Sequence, residues 1–85
     1  MEVDFFVAVP NERSGHAVAE RARELGFRTA VEKDEVGWTC YCAKIITPSY
    51  ENVVRIEADL DEIAREHGGH ADGFGSFGTA PEKSG

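Results

Sequence analysis

The sequence predicts an α+β sandwich in which a four-stranded antiparallel sheet carries two helices on one face. Three observations predict it. The hydrophobic pattern alternates between a period of two and a helical period in the order strand, helix, strand, strand, helix, strand. Glycine or proline stands at the changes of period, at Pro10, Gly26, Gly37, Pro48, Gly68 and Gly69. Two right-handed βαβ crossovers of this kind interleave into a single sheet. With 85 residues, 41% hydrophobic and 29% charged, the chain is one domain with a small core.

The first strand covers residues 3–9, with Val3, Phe5, Val7 and Val9 on one face and Phe6 and Ala8 on the other. Pro10 bounds it. From Asn11 the run "NERSGHAVAERARELGF" reads as a helix capped by Asn11 or Ser14, with Val18, Ala22 and Leu25 as its apolar stripe. Gly15 weakens its first turn, and Gly26 suits the left-handed position that stops it. Residues 27–31 alternate again as the second strand, and "EKDEVG" is a polar turn. Residues 37–47, "GWTCYCAKIIT", are rich in aromatic and β-branched side chains and form a hairpin partner, ended by Pro48. Ser49 caps the second helix, with Glu51 in its first turn. Val53, Ile56, Leu60, Ile63 and His67 then recur at alternating spacings of three and four. Gly68 and Gly69 terminate it, and residues 71–77 are the last strand. The expected architecture is a ferredoxin-like βαββαβ sandwich over residues 1–78, followed by a disordered tail, 79–85.

Residues 73–78, "GFGSFG", match the spacing of loops that hold dinucleotide phosphates. That chemistry needs a helix opening directly after the glycines, and "TAPEKSG" offers Pro81, Ser84 and Gly85 instead. A strand is the better reading. Within it the glycines leave room for a neighbouring backbone or a bulge, and Phe74 is held as an anchor.

Sixteen acidic residues against nine Lys and Arg give a net charge of −7. Such a surface lacks the basic stripe that displaces counterions from a phosphate backbone, so direct nucleic-acid binding is not expected. If the protein acts in RNA metabolism, a basic protein partner is the expected contact, although acidity of this kind more commonly serves solubility. No run of about 20 apolar residues exists, so no transmembrane helix is predicted. The start "MEVDFFVAVP" has no signal-peptide pattern, and the expected location is the cytoplasm. Cys40 and Cys42 lie two apart in a strand, a spacing that strains a disulfide, so two reduced, buried thiols are expected.

Other chemistries have the residue types but not the arrangement. His67, His70 and Asp72, with Cys40 and Cys42, supply metal-ligating types, yet Gly68 and Gly69 remove any rigid spacing, so no metal or other cofactor is expected. His16 and Asp72 are an acid/base pair by type only. No convergent polar constellation is encoded, and no enzyme is expected.

The run "GGHADGFGSFG" resembles the closing motif of the ribonuclease E regulator B (RraB) family, protein inhibitors of that endoribonuclease. Gly68, Gly69, Asp72, Gly73, Phe74, Gly75 and Ser76 occupy the motif's places, Phe74 standing where the family usually has Trp. The helix ending in "ELGF", Trp38 in the third strand and a long acidic helix agree with it as well. The resemblance implies a non-catalytic protein that binds a ribonuclease E-type enzyme and restrains RNA decay. The N-terminal extension and acidic C-terminal tail of the enterobacterial-type members do not appear in this sequence.

Helices cover one face of the predicted sheet and leave the other for recognition. Either Trp38 and the cysteines, or Thr39, Tyr41 and Ile45, face away from the helices. The expected partner-binding residues are Trp38, Asp72, Gly73, Phe74 and Gly75. The alternatives are a homodimer with two sheets packed together, enclosing a small ligand, and a purely structural domain.

Overall fold

In the computed structural model, which describes residues 1–35, 37–47 and 49–76, the elements follow the expected order. They are β1 (Glu2–Val9), α1 (Glu12–Glu24), β2 (Arg28–Lys33), β3 (Trp38–Ile45), α2 (Tyr50–Arg65) and β4 (His70–Ser76). The sheet order is β2-β3-β1-β4, and every neighbouring pair is antiparallel. The expectations for Pro48, for Phe77 at the end of the last strand and for the tail from residue 79 fall outside the described residues.

Side chains alternate along β1, so Val3, Phe5, Val7 and Val9 are buried together. Cys40 and Cys42 lie opposite Val7 and Phe5 and share that face. Onto it α1 packs Val18, Ala19 and Ala22, and α2 packs Val53, Leu60, Ile63 and Ala64, all in one core cluster. Phe5 is its centre, 1% exposed, with Phe27 edge-on at 6.3 Å. Full burial of such a side chain contributes about 1.5–3 kcal/mol. Both helices therefore lie on the same side of the sheet.

The helix ends are set by their caps. The Asn11 side chain accepts the Ser14 N–H at 2.8 Å, and the Ser49 hydroxyl accepts the Asn52 N–H at 3.2 Å. Leu25 departs from expectation: it is the C-cap of α1 and is exposed, while Ala19 fills the buried stripe. The chain has already turned there, because the Phe27 N–H reaches back to the Ala22 carbonyl. Gly15 is buried where α1 approaches Val9 and Val31; a methyl there would press on Val31. Its absent side chain lets the helix sit close to the sheet.

The last strand is irregular. Phe5 pairs with Phe74, but Val7 pairs with Ala71, so Asp72 and Gly73 together face Phe6 alone. This is a β-bulge, and Gly73 takes φ +114°, a conformation that suits glycine. The extra residue puts Ala71 and Phe74 on the same, helix-side face although they are three apart. In a regular strand they would point oppositely.

Candidate functional site

The even-numbered residues of β1 face away from the helices, and the register defines the rows beside them. One row runs Arg28, Ala43, Asp4, Gly75; the next Ala30, Tyr41, Phe6; the next Glu32, Thr39, Ala8, His70. Thr39, Tyr41 and Ile45 thus occupy the uncovered face, and the cysteines the core. Phe6 and Tyr41 meet edge to face at 5.6 Å, near the middle of this surface, and are partly exposed. Ala8, Ala30, Ala43 and Gly75 surround them, so no large neighbour among the described residues covers the rings. A shallow depression of about 280 Å³ adjoins Tyr41, bounded by Asp4, Arg28, Ala30 and Ala43.

Charge on this face is mostly negative. Glu2, Asp4 and Glu32 lie in the rows, and Asp72 follows from the bulge, against Arg28, which forms an ion pair with Glu2. Burial, and then the charge of Glu2, lift the Asp4 carboxyl above the ordinary aspartate range, and Arg28 draws it partly back. Asp4 accepts no hydrogen bond among the described residues.

The expected binding residues do not assemble into one patch. Trp38 sits opposite Val9 and packs against the core from the helix side. With Asp72 it borders a depression of about 120 Å³ at the end of the sheet, beside Asp34 and Thr39. Asp34 closes the preceding turn, accepting the Gly37 N–H at 2.9 Å and the Thr39 hydroxyl at 3.0 Å. Phe74 lies on the helix side at the edge of the sheet, 6.0 Å from Phe5 and 51% exposed. The placement of Trp38 and Phe74 on the uncovered face is thereby corrected: cross-strand register turns Trp38 inward, and the bulge turns Phe74. Gly75 opposes Asp4 on the uncovered face, and Gly73 is the bulge itself. Phe74 and Trp38 flank β1 four residues apart, about 13 Å along the strand.

The start of β4 is tied to α2 by Asp61, which accepts the Ala71 N–H at 2.8 Å and Arg65 Nε at 2.7 Å. The Arg65 bond, then the Ala71 bond, hold this carboxyl below the usual aspartate range. Gly69 lies against the carbonyl of Ala8, where any Cβ would collide.

Cys40 and Cys42 are free, fully buried, with sulfurs 3.8 Å apart. Its hydrogen bond with Cys40, followed by burial, pushes the Cys42 thiol well up. The thiols lie beneath the helices and His70 and Asp72 on the opposite face, so these ligand types are kept apart. Among the described residues no group of three or more His, Cys, Asp or Glu is placed to hold a metal ion. His16 pairs with Glu12 on α1 at 3.4 Å, away from Asp72. Glycines 73 and 75 belong to a strand. What the uncovered face offers is aromatic surface framed by carboxylates. Alternation in the first strand already set Phe6 and Ala8 apart; that Tyr41 stands beside Phe6 needed the register.

A family model described as regulator of ribonuclease activity B matches residues 1–76. No curated protein and no solved structure matches the chain.

Proposed function

Because this chain belongs to the regulator of ribonuclease activity B family, we propose that it is a binding module that docks on a ribonuclease E-type endoribonuclease and lowers its rate of RNA cleavage. The family is one of regulators rather than catalysts, which fits action by recognition. The observation that carries the reading is the uncovered sheet face: partly exposed aromatic rings that no described residue covers are what protein partners bury. Net negative charge opposes a direct grip on RNA, so restraint of decay is assigned to contact with the enzyme. The reading places the protein in the cytoplasm, where reduced thiols persist.

The test is a cleavage assay with a purified ribonuclease E-type enzyme and a defined RNA, titrated with this protein, beside calorimetric binding. Saturable binding with slowed cleavage is expected. Unchanged cleavage at large excess, with no heat of binding, would defeat the reading.

A further inference from the structure

The chemistry of the uncovered face narrows what can occupy it. Three kinds of residue meet there: the Phe6–Tyr41 ring pair, a collar of small residues, and the carboxylates of Glu2, Asp4, Glu32 and Asp72. Arg28 pairs with Glu2 and reaches Asp4 only through its charge, so Asp4 lies beside the rings with no hydrogen bond and no contact ion pair among the described residues. Burying this face against a neutral surface would strip water from carboxylates without compensation. Burying it against a second copy would bring two faces together that each carry more carboxylates than cations. A cationic occupant removes both costs.

Between the two cations, the rings decide. A guanidinium is planar, weakly hydrated and able to lie on an aromatic face while its N–H groups fork onto a carboxylate. The depression of about 280 Å³ beside Tyr41 and Asp4 is lined also by Ala30 and Ala43, whose short side chains leave space for such a group, with Arg28, held by Glu2, at its rim. An ammonium would satisfy the carboxylate but stay more strongly hydrated over the rings.

Building on the reading of the protein as a ribonuclease-binding module, we propose that the uncovered sheet face receives an arginine-bearing segment of the protein partner, with a guanidinium stacked on Tyr41 and paired to Asp4. Phe6 holds the Tyr41 ring in place edge-on. Asp72, at the far side of Phe6, attracts further positive charge on the same segment.

The experiment is an NMR titration of the intact protein with three short blocked peptides, Gly-Arg-Gly-Arg-Gly and its lysine and citrulline counterparts. Expected are amide shifts concentrated at Asp4, Phe6, Tyr41 and Asp72, with affinity falling from arginine to lysine to citrulline. Tyr41→Ala should weaken the arginine peptide about tenfold and abolish its advantage over lysine. Asp4→Asn should weaken both cationic peptides severalfold and reduce the salt dependence. Tyr41→Phe serves if Tyr41→Ala fails to fold, and should retain binding, while Asp4→Asn still reports on the carboxylate. Equal binding of arginine and citrulline peptides, or shifts confined to the acidic residues of α2, such as Glu51 and Glu62, would overturn the proposal. Ribonuclease binding that is indifferent to Asp4→Asn and Tyr41→Ala would overturn it too, yet leave the regulator reading standing. Arginine-peptide binding at this face with no effect on the ribonuclease would do the reverse.

Discussion

Gly69 and Gly73 belong to one short motif and serve it in different ways, which substitution should separate. At Gly69 a methyl group meets the Ala8 carbonyl, so Gly69→Ala must move one backbone off another. A cost of about 3 kcal/mol is expected in urea unfolding. At Gly73 the space is open and only the positive φ is at stake, so Gly73→Ala should cost about 1–2 kcal/mol. Phe74 is half exposed yet rests against Phe5, and Phe74→Ala should therefore lower stability by about 1–2 kcal/mol, well below the cost of a fully buried phenylalanine. The aromatic anchor was legible in the sequence, but the face it occupies was not. A strict two-residue alternation from Ala71 puts Phe74 on the wrong side. Only pairing with β1 reveals that two residues there oppose one. Tyr41 was unresolved for a related reason: within "WTCYCAKI" both faces carry apolar residues, and burial of the cysteines opposite Phe5 and Val7 decides between them.

At the level of elements, β4 depends on a side chain more than its neighbours do. It lies at the edge of the sheet, and Asp61 on α2 accepts its Ala71 N–H. That bond also withdraws one outward-facing amide from any strand that might add there, as the bulge does by bending the edge. Asp61→Asn loses the charge that strengthens the bond. Hydrogen exchange at the Ala71 amide should speed up while exchange at the central strand β1 stays unchanged, and equal acceleration at both would show global destabilisation instead. Element existence and order were readable because each segment except β3 has one clear period, and β3 is marked by its aromatic and β-branched residues between Gly37 and Pro48. Asn11 and Ser49 cap as their residue types lead one to expect. The miss at Leu25 is instructive: helical spacing runs on into the C-cap, but the chain there has already left the helical path. Gly15 reads as a weak point within its helix, and its use appears only once Val31 of a different element lies beneath it.

For the whole molecule, the buried Cys42 thiol gives stability an alkaline limit. In the native state Cys42 keeps its proton beyond the pH, about 8.5, at which a cysteine in an unfolded chain loses it. The unfolded state then binds fewer protons than the native one, so stability must fall as pH rises above that point. The urea midpoint should drop between pH 7.5 and 9.5, and by less in Cys42→Ala. The architecture itself has a bearing on synthesis. Of the four described strands, the earliest in chain order, β1, is an interior one, hydrogen-bonded on both sides, and one of its two partners is β4, which follows the other three. Until residues 70–76 emerge, one flank of the nascent "FFVAV" ribbon stays unpaired, open to strand addition by a neighbouring chain. A messenger cut short upstream of those codons would therefore yield a sticky fragment, whereas a chain that includes β4 closes that flank.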